Sequence, residues 1–210
     1  MGQYTGAKCR KCRAAKMKLY LKGKRCLSGR CAMELRNFPP GPRRRRRKPT
    51  DYALHLIEKQ MVRNIFGVGE RQFRRYFVRA KRTPGVTGEE LVRLLERRLD
   101  NVVFRAGLAD SRRQARQLVA HRHFWLNGRV VDRPSFLVRA GDVVEVKPER
   151  RNRKYYQILK EEGIDELPSD FWLGLDVERL RIDVKRMPTA DEMEENFNQL
   201  LVVEYYSNRV

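Results

Sequence analysis

Four cysteines, Cys9, Cys12, Cys26 and Cys31, fall within the first 31 residues in the pattern C-x2-C-x13-C-x4-C. Two short-spaced thiol pairs separated by a loop supply four soft donors suited to tetrahedral coordination. The lysines and arginines around them favour thiolate over thiol and offset the excess negative charge of a four-thiolate site. Zn2+ is the expected occupant, and a 4Fe-4S cluster is the alternative. Either would be structural, because four protein thiolates leave no coordination position open for a substrate. Two disulfides or four unpaired thiols are the plainer readings; without a secretory signal the disulfides are disfavoured.

The second reactive feature is charge. The chain has 47 Lys and Arg against 26 Asp and Glu, a net +21 over 210 residues. Residues 1–50 carry +16, residues 51–160 carry +13 and residues 161–210 carry −8. Self-repulsion of this size calls for a polyanionic partner, with nucleic acid the usual one. An anionic membrane surface is the rival, but no apolar run approaches the ~18 residues of a span. The chain therefore reads as soluble and intracellular, with its acidic last fifty residues turned away from the polyanion.

The cations cluster in three places. Arg43, Arg44, Arg45, Arg46, Arg47 and Lys48 follow Pro39, Pro40, Gly41 and Pro42, which forbid a helix and favour an extended path. Arg71, Arg74 and Arg75 lie in a helical segment. Arg112, Arg113, Arg116 and Gln117 follow Asp110 and Ser111, an acidic residue and a good N-cap. From Arg112, Ala115, Leu118 and Val119 share one side of a helix and the arginines share the other. The arginine face then looks unexplained by packing and free to meet phosphate. A helix N-terminus adds free N–H groups for the same ligand.

These positions need supporting elements. Thr50 or Asp51 caps a helix with Leu54, Ile57, Met61 and Ile65 at three- and four-residue steps. Gly67 and Gly69 break it, Phe73, Phe77 and Ala80 continue a second helix, and Leu91, Leu94 and Leu95 mark a third after Thr87. The "GVGE" between the first two lacks a preceding strand and a third glycine, so it is a turn and not a nucleotide loop. His55 reads as a packing residue. "HFWLNGRVV" predicts a hairpin closed by Asn127-Gly128 as a type I′ turn, with Trp125 facing opposite to Phe124 and Leu126. "RAGD" (Arg139 to Asp142) leads into the strand "VVEVK". "KMKLYLKGKR" predicts a short hairpin turning at Gly23. "PTADEMEENFNQLLVVEYY" opens with a capping box, Thr189 with Glu192, and its apolar run should return to residues 51–95. The fold class is α+β.

At this point the residues match a family. "RLDNVVFRAGLADSRRQARQLVAHRHFWLNGRVVDRPSFLVRAGDVVEV" resembles the S-four RNA-binding module. The cysteine knuckle, "PTDYALHLIEKQ", "GERQFRRYF", "GVTG", "LLERRLDNVVFR" and "NQLLVVEYYSNR" extend the resemblance, in order, to the bacterial-type small-subunit ribosomal protein S-four family. The resemblance implies a metal knuckle and basic arm over 1–50, a helical domain over 51–95 plus 185–210, and an inserted RNA-binding α+β domain with a small antiparallel sheet over 96–184. It implies a non-enzymatic, cytoplasmic ribosomal protein that binds 16S rRNA first and nucleates assembly of the small-subunit body. It also implies a position beside S-five and S-three type proteins at the channel where mRNA enters, a contribution to decoding accuracy, no membrane and no small-molecule substrate. The implied RNA contacts are the three arginine clusters with Ser111, His121, His123, Asn127 and Arg129. Arg122 stands where the family's "HGH" turn has glycine. A module-bearing RNA-modifying enzyme would need a catalytic domain for which the chain has no room. A free-standing RNA-binding regulator or heat-shock-type ribosome rescue factor is the remaining alternative.

Overall fold

The computed structural model describes residues 4–42, 48–164, 167–194 and 196–207. It divides into two compact units: Met1–Val92 with Glu194–Val210, and Arg93–Met193. Residues 185–193, read from sequence with the helical domain, fall in the second unit. They are tied there by Arg93 Nε donating to Pro188 O (3.3 Å) and Trp172 N donating to Glu192 Oε1 (3.1 Å).

The first unit begins with the cysteine knuckle: α1 (Cys9–Ala15), a 3-10 turn over Gly23–Cys26, and α2 (Ala32–Leu35). No strand forms there among the described residues, contrary to the hairpin expected at "KMKLYLKGKR". Lys16, Tyr20 and Gly23 all take positive φ (57°, 47° and 59°), which breaks extended backbone. α3 (Asp51–Ile65) starts at Thr50, whose hydroxyl accepts from Ala53 N. Met61, Val62 and Ile65 bury, but Leu54 and Ile57 stay 41% exposed, so only the C-terminal half of the expected apolar stripe is core.

α4 (Glu70–Arg82) buries Phe73, Tyr76, Phe77 and Ala80. α5 (Thr87–Glu96) buries Leu91, Leu94 and Leu95. α10 (Gln199–Ser207) comes back from the end of the chain to pack on α3. Tyr206 lies 4.8 Å from Phe77, ring to ring, and donates its hydroxyl to Glu70 Oε1 at 2.6 Å. The other oxygen of Glu70 accepts from buried Lys59 Nζ (3.0 Å) and from Arg63 Nη1 (2.7 Å). His55, read as packing, pairs instead with Glu204 at 3.1 Å, across α3 and α10.

The second unit sets α6 (Leu99–Arg105) and α7 (Arg112–Ala120) with a five-stranded antiparallel sheet. Its strands are β1 (Phe124–Leu126), β2 (Arg129–Val131), β3 (Val143–Val146), β4 (Leu173–Asp176) and β5 (Arg181–Val184), in the order β2-β1-β3-β5-β4. Leu126 pairs with Arg129, and Asn127 and Gly128 between them have φ 49° and 75°, the double left-handed turn expected of Asn-Gly. α8 (Pro148–Arg151) and α9 (Lys154–Glu162) follow the sheet's centre. The core gathers Leu99, Val102, Ala115, Val119, Phe124, Val144, Tyr156, Trp172 and Ile182. Phe124 is fully buried and Trp125 half-buried. The Thr189–Glu192 capping box is present and opens a 3-10 turn. The architecture is α+β. Among the described residues no helix is long and apolar enough to cross a membrane.

Candidate nucleic-acid interface

α7 is the helix on which the arginine argument turns. Ser111 sits at its N-cap and accepts from Gln114 N at 3.3 Å, while Gln114 Oε1 accepts from Asp110 N at 2.9 Å. The first bond satisfies a first-turn donor, and the second fixes the residue before the cap. They also occupy Ser111, only 8% exposed, in building the helix.

The basic face has a floor that periodicity did not reveal. Arg98 is fully buried and grips Asp100 through two bonds, Nε to Oδ1 (3.0 Å) and Nη2 to Oδ2 (2.6 Å). Arg116 Nη1 donates to that same Oδ2 at 3.3 Å. Beside it, fully buried Glu96 accepts from Arg105 Nε (3.1 Å) and Nη2 (2.9 Å) and from Asn101 Nδ2 (2.5 Å). Asn101 Oδ1 then accepts from Arg112 Nε at 2.7 Å, and the Arg112 guanidinium lies 4.6 Å from the Phe104 ring centre. The expectation that packing leaves this arginine face unexplained is therefore corrected for two residues: α6 braces both Arg112 and Arg116. Such polar networks hold when every member is satisfied, because an unpaired buried charge is costly. "LDN" was the available signal, since two adjacent polar residues inside an apolar helix demand partners.

Arg113, Gln117, His121 and Arg129 are exposed. His123 is not: 8% exposed, its Nδ1 lies 3.1 Å from Tyr156 Oη. Burial, reinforced by the charges of Arg150, His121 and Lys147, lowers the His123 pKa and keeps the ring neutral. Burial raises the pKa of Tyr156 and pushes that of Tyr155 up to about 12, so both phenols stay protonated. Asn127 is exposed, but its amide fastens the hairpin tip: Nδ2 donates to Asp142 Oδ1 (2.9 Å) and Oδ1 accepts from Val143 N (2.8 Å). Arg122 adopts φ 58°, the left-handed turn for which glycine is the usual residue, and pairs with Asp132 at 3.1 Å.

In the first unit, Arg71, Arg74 and Arg75 are exposed on α4, as are Arg79, Lys81 and Arg82 further along it. The last three were missed, although the same periodicity that places Phe73 and Phe77 inside places them outside. Lys48 is exposed; Arg43, Arg44, Arg45, Arg46 and Arg47 lie outside the described residues.

In the knuckle the four cysteines are free thiols, with Cys12, Cys26 and Cys31 buried and Cys9 partly so. Burial raises the Cys12 pKa, a bond from the Leu19 backbone opposes this, and Cys26, Cys9 and Cys31 are near enough to add to the rise. Cys26 Sγ accepts from Lys22 N at 3.3 Å. Among the described residues, no group of three or more His, Cys, Asp or Glu is arranged to hold a metal ion. The donor chemistry nevertheless suits a soft ion: Cys9, Cys26 and Cys31 lie near Cys12, and backbone N–H groups donate to Cys12 and Cys26.

Comparison with known proteins bears on the whole chain. Residues 3–96 match the ribosomal protein S4/S9 N-terminal domain family, and residues 97–144 match the S4 domain family. The small ribosomal subunit protein uS4A of Symbiobacterium thermophilum is 50% identical over 208 residues, covering 99% of this chain and 100% of the relative. The uS4 proteins of Thermus thermophilus and Syntrophomonas wolfei are 48% and 46% identical, with the same coverage. With both family matches in order along the chain and full-length relatives near one-half identity, the chain belongs to the small ribosomal subunit protein uS4 family.

Proposed function

We propose that the chain is a structural, non-enzymatic component of the small ribosomal subunit that binds 16S rRNA and nucleates assembly around it. The observation that carries the reading is the α7 surface. Arg113, Gln117 and His121 stand exposed, while Arg112 and Arg116 are braced from α6 so that their charge is held at the surface. Guanidinium groups fixed in advance lose less entropy on meeting phosphate, and they contact it bidentately. A-form RNA hides its major-groove edges, so backbone and shape readout dominates. In this reading Arg43 to Lys48 lie along the channel where mRNA enters and influence decoding accuracy. S-five and S-three type proteins are the neighbours, and the acidic last fifty residues stay off the RNA.

The test is filter binding of the full chain to the 5′ domain of 16S rRNA across a salt series. Arg113→Ala with Arg129→Ala should weaken binding and flatten the plot of log Kd against log salt, by under ~1 in slope per lost phosphate contact. Wild-type affinity and slope in a folded double variant would remove this face from the interface. Recovery at one copy per salt-washed small subunit would separate a resident ribosomal protein from a free-standing regulator or rescue factor.

The same reading gives Cys9, Cys12, Cys26 and Cys31 to one structural Zn2+, with a 4Fe-4S cluster the second choice. When bound, the ion would cross-link the ends of the knuckle and take no part in RNA chemistry. What supports it is the gathered set of free thiols. Elemental analysis of protein purified without chelator or oxidant should find about one zinc per chain; neither zinc nor iron would overturn it.

A further inference from the structure

Gln114, Gln117, Leu118 and His121 occur at three- and four-residue steps on one side of α7, and with His123 they line a shallow open depression of about 270 Å3. That is small beside the ~300–1,000 Å3 of a drug-sized site, but ample for one flat ring. The lining is unusual for so basic a chain, because it holds no Lys, Arg, Asp or Glu. Its chemistry is two carboxamides, two imidazoles and one aliphatic side chain. Such groups do little to neutralise phosphate. They donate to and accept from neutral edges, and they stack on flat faces.

We propose that this depression receives a single unstacked nucleobase of the bound RNA, an inference that rests on the RNA-binding reading above. The carboxamides of Gln114 and Gln117 are placed to meet a base edge. Gln114 keeps its NH2 for this purpose, since its Oε1 is engaged by Asp110 N. His121 is exposed and offers a ring face, and Leu118 offers an apolar floor. His123 closes the site from inside. Held neutral by its surroundings, it can accept a hydrogen bond from the Tyr156 hydroxyl at Nδ1 and present Nε2–H as a fixed donor. The positive charges of Lys147 and Arg150 act on His123 from outside the lining, where the phosphate joined to such a base would be drawn. Arginines on the rest of the helix thus grip the backbone, and this patch reads what the backbone carries.

The experiment uses the full chain, the 16S rRNA 5′-domain transcript, and reagents that modify unpaired base edges. The variant is Gln117→Ala with His121→Ala; both residues are exposed, and tryptophan fluorescence verifies folding. Losing a stacked base should weaken binding roughly tenfold. The salt slope should stay at the wild-type value, because no counterion release is lost. One unpaired base protected by the wild type should become reactive with the variant. The charge control, Arg113→Ala, should lower the slope and leave that base protected. If the variant exposes no individual base, or flattens the slope as the control does, the depression is not a base site even though RNA binding stands. If the wild-type chain fails to bind the transcript, the RNA-binding reading falls and the slot falls with it.

Discussion

Replacing Asp100 by alanine tests the brace beneath α7. Its carboxylate is almost fully buried and serves two guanidiniums unequally. Arg98 is 0% exposed and holds Asp100 through Nε and Nη2, so removing Asp100 takes the carboxylate away from a guanidinium with no access to water. Breaking a buried pair from one side costs about 3–5 kcal/mol. Arg116 is 25% exposed and makes one bond of 3.3 Å, so Arg116→Ala leaves Asp100 still paired and should cost about 1 kcal/mol or less. The two substitutions, sixteen residues apart but sharing one oxygen, should therefore differ by at least about 2 kcal/mol. Both tryptophans, Trp125 and Trp172, belong to the Arg93–Met193 unit, so intrinsic fluorescence during urea unfolding reports on that unit. The expected result is a large drop in midpoint with an unchanged m-value for Asp100→Ala, and a small drop for Arg116→Ala. Arg98→Met combined with Asp100→Ala should recover much of the loss, because no buried guanidinium then remains without its carboxylate. If Asp100→Ala unfolds within about 1 kcal/mol of wild type, or Arg116→Ala is equally damaging, the brace argument is wrong.

Three further outcomes follow from the same structure. Because the His123 pKa is lowered from 6.5, the unfolded chain binds more protons just below that value; the unit's stability should be complete above pH 6.5 and fall as pH drops, and His123→Gln should flatten that part of a urea-midpoint profile. At Glu70, burial acts to raise the pKa, but bonds from Tyr206 and Lys59 and the charges of Lys59 and Arg63 outweigh it, leaving the pKa lowered from 4.5. That contribution is present above pH 4.5 and lost below it, and Glu70→Gln should remove the corresponding limb of an acid titration followed by circular dichroism. Asn127→Ala removes two hydrogen bonds and a side chain tolerant of positive φ, and should cost about 1–3 kcal/mol by urea unfolding.

Much of this was legible in the residues. The faces of α7, its Ser111 cap, the Asn-Gly hairpin and the Thr189 capping box depend on neighbours within a few positions, where local geometry decides. What a helical wheel could not supply was the floor. It placed Arg112 and Arg116 outside, correctly, but their partners Asn101 and Asp100 come from another helix. His55 failed for the same reason, since Glu204 lies 149 positions along the chain. His123 was grouped with the exposed histidine two residues earlier, but it immediately precedes β1 and sits against Tyr156 of α9. The short hairpin expected of "KMKLYLKGKR" does not form, because the backbone takes left-handed turns at Lys16 and Tyr20 as well as at Gly23.

The Glu70–Tyr206 bond joins residues 136 positions apart, with the entire second unit between them. Synthesis runs from the N-terminus, and domains generally fold as units once their residues are available. The helices of residues 51–92 leave the translating machinery with Phe77 and Lys59 lacking the Tyr206 and Tyr205 rings that lie against them in the finished fold. The unit of residues 93–193 is complete before α10 exists. A nascent chain thus presents a finished α7 surface while its own first-made helices still wait for the final helix.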